Sequence, residues 1–111
     1  MSIVPANLWP ELQIGTSNTV LFASVSTGVN IVKSAVFTNI DTATHYVTVY
    51  VVPGGGVASA NNIIIDAFPI APRQAYVSPE LSNLVLLNSM SLIAICDTSN
   101  VINTIGSGFI Q

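Results

Sequence analysis

The chain has 111 residues, a formal net charge of −3 and only 6% charged residues, where an ordinary soluble domain has about 25%. Lys33 and Arg73 are its only cations, so no basic cluster exists to hold nucleic-acid phosphates or to lie on a membrane surface. Ser, Thr and Asn, 31 residues together, stand where charge would be, and a hydrophobic content of 50% is not that of a disordered chain.

The length suits one domain with a core of its own. The start, MSIVPANLWPEL, lacks the basic region and long apolar core of a secretory signal. Residues 1–15 show no clean period and contain Pro5 and Pro10, which favour an extended N-terminal arm over a helix. Within this arm Trp9 and Leu12 are candidate contact residues. Trp9 either lies back on its own domain as a lid or anchors the arm on a neighbour, a role for which tryptophan is well suited. The single domain then covers residues 16–111.

Thr19 to Ser24 reads as a first short strand, followed by a turn at Ser26-Thr27-Gly28. Val29 to Asn39 is a long strand with neither face cleanly polar, which suggests cover on both sides. A polar break at Asp41-Thr42-Ala43-Thr44 leads into Tyr46 to Val52, YVTVYVV. Every residue in that run is β-branched or aromatic, a composition that suits a pleated surface. Val47, Val49 and Val51 fall on one face and are assigned to the core. Tyr46, Thr48 and Tyr50 fall on the other, and both tyrosines are candidate contact residues. These two long strands read as a central antiparallel hairpin with the others laid beside it.

Pro53 stops the run, and a glycine-rich loop extends to Asn62. It lacks the Lys-Ser/Thr and the helix of a phosphate loop. Ile63 to Phe68 is the next strand, and Pro69 to Arg73 a connection. Gln74 to Ser78 is a short strand, and Pro79 to Asn83 reads as one helical turn with proline at its first position. Leu84 to Leu87 is a short apolar segment, turned at Asn88-Ser89. Ser91 to Cys96 is a buried strand with Cys96 a core thiol, and Asp97 to Asn100 is a turn. Val101 to Gln111 is the last strand, where the alternating Gly106 and Gly108 suggest a bulge or the close approach of another backbone. About eight short strands separated by turn signals point to an all-β, two-sheet antiparallel β-sandwich of jelly-roll type.

No catalytic constellation is visible. The one histidine, His45, sits beside a polar turn and reads as an ordinary exposed or hairpin-packed residue. The five acids form no spaced pair, and no metal-ligand or cofactor motif occurs. The sequence therefore predicts a protein that is not an enzyme and needs no cofactor or metal.

IVKSAVFTNIDTATHYVTVYVVPGGG, followed by NNIIIDAFPIAPRQAYVSPEL and LIAICDTSN, resembles small β-sandwich virion structural proteins of tailed bacteriophages. In length and lack of charge the chain is most similar to the capsid decoration, or staple, type of epsilon-15-like short-tailed phages. The resemblance covers roughly Ile31 to Asn100 and leaves the stretch around Trp9 outside it. It implies a place on the capsid exterior of a virion, the major capsid protein as partner, and a homo-oligomer, with a dimer favoured. Two alternatives remain open: a minor tail or fibre-base protein, and a sugar-binding sandwich for host attachment that uses Tyr46, Tyr50 and the many asparagines.

Overall fold

In the computed structural model, which describes residues 4–23, 29–54, 56–87 and 89–110, the chain runs as one long antiparallel ribbon rolled into a sandwich. Its strands are β1 (Val4–Gln13), β2 (Thr19–Ala23), β3 (Asn30–Asn39), β4 (His45–Val52), β5 (Ile63–Ile70), β6 (Ala75–Val77), β7 (Leu84–Leu86), β8 (Ser91–Cys96) and β9 (Ile102–Ile110). A 3-10 turn at Ala60–Asn62 precedes β5. The outgoing leg, β1 to β4, pairs with the returning leg in mirror order. β4 pairs with β5, β3 with β6 and β7, β2 with β8, and β1 with β9. Rolling this ribbon gives one sheet in the order β1-β9-β3-β6, with β7 also on β3, and a second in the order β2-β8-β4-β5. This is the jelly-roll sandwich that the strand spacing predicts.

Two expectations are corrected. First, β3 and β4 are not a hairpin: they lie in opposite sheets, and residues 40–44 carry the chain across the sandwich. Asn39 makes the crossing possible. Its fully buried amide donates to the carbonyls of Ala43 (2.8 Å) and Ile70 (2.9 Å) and accepts from the Asp41 amide (2.9 Å). The loop groups that a ladder would otherwise satisfy are thus paired by a side chain.

Second, the stretch expected as an extended arm is an extended strand within a sheet. β1 pairs with β9 along most of its length. Prolines are tolerated there because β1 is an edge, where one row of amides has no ladder partner to lose. The missing sequence period has a physical origin. Two register shifts interrupt the β1–β9 ladder, between Asn7 and Trp9 and between Trp9 and Leu12, so that the consecutive residues Leu8 and Trp9 are both buried. Met1 to Ile3, the turn at Ser26-Thr27-Gly28 and Asn88 of the Asn88-Ser89 turn lie outside the described residues. Pro79 to Asn83 forms hydrogen-bonded turns and no helix.

A similar shift explains the ambiguous faces of β3. The ladder with β9 slips between Val32 and Ser34, so Asn30 and Val32 point inward, and so do Ala35, Phe37 and Asn39. A bulge at Lys33 changes the parity of the strand, and no cover on a second side is required to account for the pattern. On β4, Val47 and Val49 are buried and Tyr46, Thr48 and Tyr50 are not, as the alternation predicts; Val51, also assigned to the core, is half-buried against it, and Val52 is buried at the strand end.

The core joins Trp9, Val32, Phe37, Val47, Val49, Leu92 and Ile102 from both sheets, and Cys96 is buried beside it. Phe68 of β5 stacks on Tyr76 of β6 at 4.0 Å, closing the side where the two edge strands face each other. Burial, with help from the Glu80 carboxylate that accepts its hydrogen bond, pushes the Tyr76 hydroxyl up to about 12.

The two late glycines are required by space. A Cβ at Gly106 would collide with the indole of Trp9, and one at Gly108 with the carbonyl oxygen of Ile31. Gly106→Ala is expected to cost about 1–3 kcal/mol, the usual range for overpacking. Urea unfolding followed by emission of the single tryptophan checks this, with a red shift of the native emission as the indole is displaced. An unchanged midpoint and spectrum would show that Trp9 does not rest on Gly106.

Candidate interaction surface

Of the four residues singled out in the sequence, the structure places two on one outer face and two elsewhere. Trp9 is 1% exposed, and its Nε1 donates to Thr104 Oγ1 at 3.2 Å. It is a core residue of this domain and is not available as a docking anchor. Leu12, also on β1, is half-buried and packs against the same core. Tyr46 is 47% exposed and Tyr50 half-buried on the outer side of β4.

Around the tyrosines the face is apolar across the whole sheet. Val20 of β2 is opposite Ile93 of β8, Ile93 opposite Tyr50, and Tyr50 opposite Ile63 of β5. Directly opposed residues share a face, so these four form one row across four strands. Thr48 and Ile95 form a second, shorter row. Among the residues of these four strands the one acid is Asp66, on the edge strand β5.

The outer face of the other sheet was not singled out in the sequence, because the bulge at Lys33 hides its alternation. Ile105, Val36 and Val77 line up across β9, β3 and β6, and Phe109, Ile31 and Val85 across β9, β3 and β7. Val77 is 61% exposed. Ser34 and Ser107 separate the two rows. Two open depressions indent this face, one of about 450 Å³ bounded by Pro5, Lys33 and Phe109, the other of about 220 Å³ bounded by Glu11, Val36 and Ile105. The Lys33 ammonium donates to Asn83 Oδ1 at 3.0 Å.

The edges are blunted by contrast. Pro5 and Pro10 lie on β1 and Pro69 on β5, the outer strands of their sheets, and β6 and β7 have three residues each. Prolines and short strands discourage edge-to-edge pairing.

The other polar cluster lies at one end of the sandwich. His45 is 7% exposed, so of the exposed and packed alternatives it is packed, though against the β3–β4 link and the β8–β9 turn and not in a hairpin. Its Nε2 lies 2.7 Å from Asp41 Oδ2 and its Nδ1 3.1 Å from Asp97 Oδ1. The hydrogen bond to Asp41 raises the imidazole above its ordinary range; burial opposes this, and Asp97 adds to it. The same bond and the Thr42 amide hold the Asp41 carboxyl below its usual range. For Asp97 burial pushes upward, but hydrogen bonds from the Cys96 thiol, the Tyr46 amide and His45 outweigh it and leave the carboxyl low. Both ring nitrogens of the imidazole face carboxylates, and burial pushes the Cys96 thiol up, so this is an ion-paired cluster without an activated nucleophile. Among the described residues no group of three or more His, Cys, Asp or Glu is arranged to hold a metal ion.

No family model matches the chain, and no curated protein matches its sequence. Solved structures do match. The structure of the Gx strain of infectious bursal disease virus aligns over 98% of this chain, with a TM-score of 0.57 and 13% identity. The crystal structure of the T13 particle of the same virus aligns over 98%, with a TM-score of 0.56 and 14% identity. The fold is one found in virus particles. The chain spans 31% and 30% of the length of those two chains, so the likeness is to one part of a larger protein. At this identity it is a likeness of fold.

If the outer faces serve contact and not folding, their exposed side chains are dispensable for stability. Tyr46→Ser and Val77→Ser are expected to leave the free energy of unfolding within about 0.5 kcal/mol of the parent, while Trp9→Ala costs about 3–5 kcal/mol. Parallel urea titrations separate the two classes.

Proposed function

We propose that this protein is a non-enzymatic structural component of a virus particle, bound to its neighbours through the charge-poor faces of its two sheets. One observation carries the reading: the row Val20–Ile93–Tyr50–Ile63 crosses an entire sheet on its outward side without an ionised group. The jelly-roll likeness to proteins of a virus particle and the resemblance of the motifs from Ile31 to Asn100 to virion proteins agree with it. Depletion of charge with retained aromatics is the composition of an interface core. Four strands about 4.8 Å apart, with five to eight residues each at about 3.3 Å per residue, give a footprint of roughly 400 Å², about half of one partner's share of a standard interface.

Within that class the specific role we propose is decoration of the capsid exterior. The protein acts as a staple across the major capsid protein, with Tyr46 and Tyr50 at the seam. A domain with two such faces can meet the coat with one and a second copy with the other. Paired copies engage two coat subunits together, and the linkage multiplies modest affinities by about a hundredfold or more. Tail or fibre-base attachment uses the same faces against a different neighbour. Sugar binding, the other alternative, finds less support, because Tyr50 is half-buried in its row and the face is a flat apolar band.

Attachment through such a seam has few ion pairs to screen. The protein is expected to remain on particles through washing in about 1 M NaCl, where the screening length is about 3 Å, and to be lost when Tyr46→Glu and Tyr50→Glu are combined. Sedimentation of washed particles measures both. Clean release by salt, or binding of isolated protein to glycans at the tyrosine face, would contradict the reading.

A further inference from the structure

Two connections and one strand start meet at the crossing end of the sandwich: the β3–β4 link with Asp41, the β8–β9 turn with Asp97, and His45 at the start of β4. Both ring nitrogens of His45 face a carboxylate oxygen. A neutral imidazole has one N–H and one lone pair, and an ionised carboxylate only accepts. With both acids ionised, the two contacts are simultaneously attractive only when the ring carries both protons.

We infer that His45 is a pH-sensitive latch: as imidazolium it fastens the β3–β4 link to the β8–β9 turn, and its deprotonation releases the turn. The neutral ring keeps its proton on Nε2, where the bond to Asp41 is the shorter, at 2.7 Å against 3.1 Å. The lone pair of Nδ1 then faces the Asp97 carboxylate, and the repulsion falls on the turn. The charged and titratable groups around the ring are few. Asp41 faces it from the β3–β4 link and Asp97 from the turn. Cys96 at the end of β8 donates its thiol to Asp97 at 3.2 Å, and Arg73 in the β5–β6 connection acts on Asp41. Among the described residues nothing in the cluster supplies a second proton donor for Nδ1 to accept from.

The latch bears on the proposed contact face. Asp97 Oδ1 also accepts from the backbone amide of Tyr46 at 3.2 Å, and the Asp97 amide donates to the Tyr46 carbonyl at 3.4 Å. The Asn100 amide donates to the Ile14 carbonyl, tying the turn to the β1–β2 link. Release of the turn therefore loosens the start of β4, where Tyr46 sits, and the neighbouring crossing.

The sign follows from linkage. His45 binds its proton more tightly in the closed state, so its contribution is complete below about pH 6.5, the ordinary histidine value, and is lost as pH rises through the raised value. Asp41 and Asp97 are held low, so theirs is present above about pH 3.9 and is lost in more acid solution. The end of the sandwich is tightest between those limits.

Because His45 is the only histidine, the nitrogen resonances of one imidazole report its protonation without assignment. The test titrates them together with hydrogen exchange at the Tyr46 and Asn100 amides, corrected for intrinsic base catalysis. The expected result is a midpoint above 6.5 with both ring nitrogens protonated below it. Protection at the two amides should fall by about tenfold for each unit by which the closed-state midpoint exceeds the open one. Asp97→Asn, which leaves the imidazole in place, should lower the midpoint, and His45→Gln should remove the pH dependence of protection while the fold persists. A midpoint at or below 6.5, or protection at Tyr46 and Asn100 that does not change across the titration, would overturn the latch.

Discussion

The architecture depends on the crossing at Asn39. A ribbon of paired strands can bury its apolar side only if it turns from one sheet into the other, and each turn strands backbone groups away from a ladder. At the β3–β4 crossing the Asn39 amide takes up two carbonyls and one N–H. The backbone amides of Asn39 and Ile40 meanwhile bond to Gln74 and Val101 on the adjoining connections. With this corner made, the valine side of β4 faces the inner side of β3, and the returning leg pairs back along the outgoing one. The crossing of the chain halves then puts Trp9 against Gly106 and Gly108 against Ile31.

The outer faces follow from the same geometry. Alternation assigns one side of each strand to the core, and bulges at Lys33 and near Trp9 reset the parity where the sandwich needs it. What remains outward is a pair of faces made mostly of Val, Ile, Tyr, Ser and Thr, with Lys33 and Asp66 as isolated charges and prolines on two of the flanking edges. In a chain with 6% charged residues such faces are costly to leave in water and cheap to desolvate, which is the balance expected of a part built into a larger assembly. Jelly rolls that differ in sequence serve many purposes, so the face chemistry, and not the fold, carries the functional reading.

Much of this was legible from local chemistry. The YVTVYVV run displays its core and its outward tyrosines through simple alternation, Cys96 reads as buried, and the glycine pair near the end marks close approaches. The partner of β3 was not legible, because a polar four-residue break serves equally well as a hairpin turn or as a crossing between sheets. Only the distant contacts of Asn39 distinguish them. The two readings of Trp9 stay unresolved in the sequence for a related reason: prolines that forbid a helix are compatible with both a free arm and an edge strand, and the bulges that bury Leu8 and Trp9 together erase the period that marks a strand. The His45 cluster draws Asp41 and Asp97 from connections more than fifty residues apart in sequence, a separation that leaves no motif.

The most direct test of the central claim, that neutral sheet faces fasten this domain into a virus particle, is a reconstruction of particles assembled with the chain present. The expected density is a jelly roll lying flat on the outside of the shell, with Tyr46 and Tyr50 buried against coat protein. Density that touches its neighbours only through loops or through the β1 and β5 edges, or particles that lack the chain altogether, would contradict it.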